Sequence, residues 1–195
     1  MPSLLETAYQ ETLGRAGDEG GLKFYQDAID RGDVTIEQVR QELSASDESD
    51  NLLSGNYVSA TGNTLDDDTQ NFYQNKLAAG ELNRGQIRQE IAQSDAGRNA
   101  LETIYQNQLG RDSDASGLAY YTGTLGGGRT VDEIRQEINE SSEGRQYRDS
   151  QAMIGADEDA FNETAQYGLS GSEAALESSL RAALGLIESS AMTAR

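Results

Sequence analysis

Tyr105-Gln106-Asn107-Gln108-Leu109-Gly110-Arg111-Asp112-Ser113-Asp114-Ala115-Ser116-Gly117-Leu118-Ala119-Tyr120-Tyr121 is the stretch on which the fold turns. A segment ending in Leu109 meets Gly110, a residue that stops a helix because it accepts a left-handed backbone without steric cost. Asp114 then stands where a short acceptor side chain can cap the next helix. An apolar and aromatic segment follows it. The implied order is helix, glycine stop, polar loop, cap, helix.

The same punctuation occurs three times. Tyr9, Tyr57 and Tyr105 lie 48 residues apart, and Gly14, Gly62 and Gly110 keep that offset. So do Asp18, Asp66 and Asp114, the pairs Phe24-Tyr25, Phe72-Tyr73 and Tyr120-Tyr121, and Gly32, Gly80 and Gly128. After one deletion in the third copy, Val39-Arg40-Gln41-Glu42-Leu43 returns as Ile87-Arg88-Gln89-Glu90-Ile91 and Ile134-Arg135-Gln136-Glu137-Ile138. Ser46, Ser94 and Ser141 follow the copies. The units span 1–48, 49–97 and 98–149, and 150–195 remains as a linker and an amphipathic C-terminal helix.

Each unit reads as about three short helices, which makes the chain all-α. In the first, Leu4, Leu5, Ala8, Tyr9 and Leu13 form one amphipathic face, closed by Gly14. Asp18 caps a helix carrying Leu22, Tyr25 and Ile29, closed by Gly32. Thr35 caps a third, whose Ile36, Val39 and Leu43 make one apolar stripe. Ser46 closes that helix or opens the next unit. Helices this short are marginal alone, so packing within and between units has to stabilise them. In the tail, Ser172 caps a helix with Leu176, Leu180, Leu184 and Ile187 on one side. That stripe packs on the last repeat or engages a partner.

The middle unit departs from its neighbours. Thr61-Gly62-Asn63 replaces Leu-Gly-Arg, and Thr69-Gln70 replaces Gly-Leu. It keeps the helical scaffold and loses Arg15 and Arg111 of the other two.

Composition excludes whole classes of chemistry. The 195 residues hold 15 Lys and Arg against 34 Asp and Glu, a net charge of −19, with no Cys, His or Trp. That removes disulfides, thiol nucleophiles, His-ligated metals and imidazole bases. A charge this negative repels nucleic acid. Leu, Ile, Val and Phe make up only about 18% of the chain, a disorder-prone share. Nine Tyr and the strict period argue for a fold instead. Lysine occurs only at Lys23 and Lys76, an acidic and lysine-poor surface suited to salty water. No apolar run is long enough to span a membrane. The N-terminus lacks a signal peptide's basic start and apolar core, so assembly in a cytoplasm, or exit by a route without a cleaved signal, is expected.

The pattern Tyr-x3-Leu-Gly-Arg-x2-Asp-x2-Gly-Leu-x-[Phe/Tyr]-Tyr, at Tyr9 to Tyr25 and again at Tyr105 to Tyr121, resembles the family called domain of unknown function 4214. It is similar, more distantly, to phycobilisome linker domains. The resemblance implies an all-α fold and no known chemistry. It implies accessory modules of bacterial surface proteins or of phage virions. Phycobilisome linkers are typically basic, whereas this chain is acidic.

Several residues invite a chemical reading. Asp112, Asp114 and Ser116 match the first half of an EF-hand calcium loop, but its twelfth position is Gly123 rather than Glu. The competing expectation is that Asp18 and Asp114 cap helices and pair with Arg15 and Arg111. Arg40, Arg88 and Arg135 are expected to pair across units or with the Asp loops. Tyr25, Tyr73 and Tyr121 are expected in the core, with sugar stacking as the alternative. Catalysis is not expected, since three equivalent Arg-Gln-Glu copies suggest a scaffold and no phosphate-binding loop exists. The reading is a non-enzymatic assembly protein of a virion, joined to itself or to other virion proteins, with no cofactor. Alternatives are an extracellular or cell-surface module that binds glycan with calcium, and a linker-like scaffold.

Overall fold

The computed structural model describes residues 2–154, and among these the backbone is helical with no strand. Repeat 1 holds α1 (Leu4–Leu13), α2 (Glu19–Arg31) and α3 (Ile36–Ser44). Repeat 2 holds α4 (Asp47–Thr61), α5 (Asp67–Ala78) and α6 (Arg84–Gln93). Repeat 3 holds α7 (Asp95–Leu109), α8 (Ala115–Gly126) and α9 (Val131–Glu140). Helical backbone resumes over 142–154, including 151–154, which the sequence suggested as linker. Residues up to Arg145 form one compact body, and those from Gln146 belong to a second. The tail stripe of Leu176, Leu180 and Ile187 lies outside the described residues.

Each boundary follows from its capping residue. First helices start at serine: Ser3, Ser46 and Ser94 each accept a backbone N–H from the first turn. Ser46 therefore opens repeat 2, and the helices of repeats 2 and 3 begin at Asp47 and Asp95. Second helices start at Asp18, Asp66 and Asp114. Third helices start with full capping boxes, Thr35 with Gln38, Asn83 with Gln86, and Thr130 with Glu133. A cap of this kind is worth about 1 kcal/mol. First helices stop at Gly14, Gly62 and Gly110, all left-handed with φ of 72°, 73° and 68°. A side chain there would strain the backbone, so glycine sets the length of the helix.

Each repeat has its own core. In the first it is Leu5, Ala8, Tyr9, Leu13, Val39 and Leu43. In the second it is Leu53, Ala60, Tyr73, Leu77, Ile87 and Ile91. In the third, Leu101, Ile104, Tyr105, Leu109, Leu125, Ile134 and Ile138 are joined by Ala92 from the preceding repeat. The repeats then stack by one rule. First helices line up, α1 on α4 and α4 on α7. The third helix of one repeat packs on the second helix of the next, α3 on α5 and α6 on α8. This is the nearest-neighbour architecture of a short solenoid.

Candidate functional site

The recurring loops after the first helices carry the first cluster. Asp18 accepts the Gly21 N–H at 2.8 Å, and Asp114 accepts the Gly117 N–H at 2.9 Å and the Ser116 hydroxyl at 2.5 Å. The bond from Gly21 holds the Asp18 carboxyl below its ordinary range; Ser116, then Gly117, does so for Asp114. Both act as helix caps. Asp112 accepts from the Gln106 amide at 3.1 Å. The calcium candidates Asp112, Asp114 and Ser116 are thus bonded within the protein. No group of three or more acidic side chains able to hold a metal occurs among the described residues.

Arg15 and Arg111 lie only 3.9 and 3.7 Å from Asp18 and Asp114. Their main partners are elsewhere. Arg15 grips Glu48 with Nε at 2.5 Å and Nη2 at 2.7 Å. Arg111 grips Glu143 in the same two-pronged way, at 2.5 and 3.0 Å. Each glutamate sits in the first turn of the helix that follows its repeat's third helix, so Arg15 ties repeat 1 to α4 of repeat 2, and Arg111 ties the α7–α8 loop to the start of the helix after α9. The arginine bond depresses the pKa of Glu48 and of Glu143. Each guanidinium also lies over a tyrosine ring, 5.7 Å from Tyr9 and 5.3 Å from Tyr105. The Gly-Leu of the motif has a steric reason. A Cβ on Gly21 would stand 2.4 Å from the Tyr9 hydroxyl, and one on Gly117 would stand 2.1 Å from that of Tyr105. Repeat 2 has Thr69 there, and its hydroxyl bonds Asp66 instead.

The junction of repeats 1 and 2 buries a cation. Arg84 is 8% exposed; Nε donates to the Thr12 carbonyl at 2.6 Å, and Nη2 to the Ser49 carbonyl and hydroxyl at 3.0 and 2.7 Å. Its Nη1 has no partner among the described residues, and neither does the buried Thr12 hydroxyl. Burial pulls the Arg84 pKa down to about 10. A groove of about 470 Å³ opens over this junction, lined by Gln10, Glu11, Gly14, Asn56, Asn83, Arg84, Gly85 and Arg88. Arg88 is committed too, donating to Asn56 at 3.0 Å and to the carbonyls of Leu125 and Arg129 at 3.1 and 3.3 Å. Of its counterparts, Arg40 pairs with Glu11 at 2.6 Å, and Arg135 pairs, among the described residues, only with Asp132 of its own helix.

The aromatic pairs divide their labour. Tyr73 is buried, and Tyr25 and Tyr121 are half-buried, donating to Glu42 and Glu137 at 3.0 Å each. Burial, then the bond to Glu42, pushes the Tyr25 pKa up to about 12. Their neighbours Phe24, Phe72 and Tyr120 are 66%, 49% and 58% exposed. Each stands edge-on to the adjacent ring, with centroids 5.0 to 5.2 Å apart. The surface thus carries one exposed aromatic per repeat, at equivalent positions.

Residues 97–147 match the family model of a domain of unknown function, DUF4214. The match runs from Gly97 in the first turn of α7 through α8 and α9, and it contains Arg111, Asp114, Gly117, Tyr121 and Glu143. The matched segment of repeat 3 therefore contains the clamp, the cap and the close tyrosine contact just described. No curated protein and no solved structure matches the chain.

Sequence reasoning missed Glu48, Glu143 and Arg84. Both glutamates are at the same place after the capping serine, while the middle unit has Ala96 where its clamp arginine is also missing. That joint loss was the available signal. Arg84 is an arginine where the other repeats have Ile36 and Val131, which marks it as exceptional.

Proposed function

We propose that the chain is a non-enzymatic docking or spacer module, a component of a larger assembly such as a phage virion that works through protein partners. The observation that supports this is the repetition of one contact rule. The same helix faces and the same capping glycine join repeat 1 to 2 and repeat 2 to 3, with Arg40 and Arg88 at equivalent places on the third helix. Such a stack holds its surface features at fixed spacing, which is what a spacer does. The virion setting rests on the resemblance of the repeats alone. No helix among the described residues is long and apolar enough to cross a membrane.

The chain has no native cysteine, so spin labels can be placed at will. Lys23, Asn71 and Ala119 are equivalent exposed positions on α2, α5 and α8. Labels on Lys23→Cys/Asn71→Cys and on Asn71→Cys/Ala119→Cys should give two narrow distance distributions with similar means. Broad or clearly unequal distributions would remove the rigid-spacer reading.

The exposed row of Phe24, Phe72 and Tyr120 favours a second reading, a binding module for a glycan or another ligand. Two of the three rings lack the hydroxyl that helps a sugar-binding aromatic, which suits an apolar partner better. Replacing all three by Ala should abolish binding in a glycan array without moving the melting temperature, if sugars are the ligand.

A further inference from the structure

The described stack has two ends, and they differ from its interior in how well their side chains are covered. At the internal junctions the third helix presents an arginine to the end of the next second helix. Arg40 lies against Gly80, where a Cβ would be 2.9 Å from its Nη1, and its side chain is 19% exposed. Arg88 reaches the Leu125 and Arg129 carbonyls. In repeat 3 the equivalent Arg135 is 48% exposed and, among the described residues, bonded only to Asp132. At the other end the position of Leu77 and Leu125, 1% and 0% exposed, is taken by Ile29, which is only half-buried. The position of Gly126, which packs against Gln89, is taken by the exposed Asp30.

We infer that the α9 face of one copy receives the α2 end of a second copy, so that the chain associates head to tail. The occupant follows from the internal junctions. What covers α3 and α6 is the second helix of another repeat, and among the described residues one second helix, α2, has no preceding repeat against it. The contact also improves on the internal ones in charge. Arg135 would approach the carbonyl end of α2 as Arg88 approaches that of α8, with Asp30 beside it in place of the neutral Gly126 and with the neighbouring Arg31 neutralised by Asp33 at 2.7 Å. The joint matches the end of one copy to the opposite end of the next. It therefore does not close on itself in pairs and extends into a ring or a filament. The inference rests on the spacer reading and adds that the spacer is extendable.

The test is sedimentation velocity on the full chain over a hundredfold concentration range at moderate salt. The expected result is a sedimentation coefficient that rises with concentration beyond that of a dimer. Arg135→Glu alone and Asp30→Arg alone should each remain monomeric, because each sets like charges against each other at the joint. Both positions are exposed, and circular dichroism checks that the variants keep their helix content. An equimolar mixture of the two variants restores opposite charges at every joint. The carboxylate introduced in one variant meets the guanidinium introduced in the other, and the unaltered Arg135 of the second meets the unaltered Asp30 of the first. The mixture should therefore assemble again. A chain that stays monomeric throughout overturns the inference, as does assembly indifferent to both substitutions. Either result leaves the label distances, measured on dilute monomer, to judge the spacer reading separately.

Discussion

At the junction of the first and second repeats, Thr12, Ser49 and Arg84 hold the places that Ala60, Gly97 and Val131 hold at the next junction. The first set is buried and polar, with a guanidinium bonded to two carbonyls and a hydroxyl. The second set is buried and apolar, and Val131 packs within 3.8 Å of the Cβ position on Gly62 as Arg84 does at Gly14. The outer rim changes in parallel: Arg15 grips Glu48 at the first junction, while Asn63 and Ala96 stand at those places in the second. One backbone arrangement thus accepts two chemistries, provided the residues change as a set. A buried ion or polar group is tolerated when every neighbour is arranged for it and is costly when one neighbour is removed.

The largest effect comes from breaking the polar set. Arg84→Ala strands the Ser49 hydroxyl and the Thr12 carbonyl and leaves a cavity. We expect a loss of about 3 kcal/mol in urea unfolding. The sharper experiment converts the first junction into the second. Thr12→Ala/Ser49→Gly/Arg84→Val removes the guanidinium, the Ser49 hydroxyl and the two unpartnered atoms together, leaving only backbone carbonyls beside apolar side chains, as at the second junction. Its stability should return to within about 1 kcal/mol of the parent. A triple variant no more stable than Arg84→Ala would show that the two junctions are not interchangeable.

The next effect separates the outer repeats from the middle one. Gly117→Ala drives a methyl into the Tyr105 hydroxyl, whose ring is fixed in the core, and should cost about 1–3 kcal/mol. The reciprocal Thr69→Gly in repeat 2 removes a hydroxyl bonded to an exposed cap and should cost about 1 kcal/mol or less. Thermal melts of the two variants decide it, and equal losses would sink the steric account of the Gly-Leu pair.

The residues that were legible in advance and those that were not divide along the same line. Local features were readable: Gly14, Asp18 and Thr35 act through backbone geometry within a few residues, and the period of 48 multiplied each of those signals. Tyr25, Tyr73 and Tyr121 were placed in the core, yet the hydroxyls of Tyr25 and Tyr121 reach out to glutamates on the third helix. Contacts distant in sequence were not readable. Arg15 was assigned to Asp18, its near neighbour, because nothing local shows that α4 returns Glu48 to the loop. Arg84 stood out only against Ile36 and Val131 at its equivalent positions; on its own, an arginine at the start of a helix is ordinarily solvated. The exposure of Phe24 and Tyr120 depends on which side of α2 and α8 meets the core, and two adjacent aromatics leave that choice to the packing.

The smallest effect tests the rim. Arg15→Asn/Glu48→Ala gives the first junction the residues of the second. The clamp is about 40% exposed on both sides, so solvent and salt screen it. At neutral pH and low salt the loss should be about 1 kcal/mol or less, and it should fade in molar salt. Its pH dependence has a definite sign. Glu48 titrates below its ordinary 4.5 in the folded protein because Arg15 bonds its ionised form. The clamp's contribution is therefore complete above the unfolded value and declines as pH falls through the folded one. Parent and double variant should differ above about pH 5 and converge in more acid solution, where Glu48 is protonated in the folded and unfolded chains alike. A difference that persisted unchanged into acid would mean that Arg15 acts through its stacking on Tyr9, a contact without a titrating partner in that range. The clamp would then be a packing device that happens to carry charge.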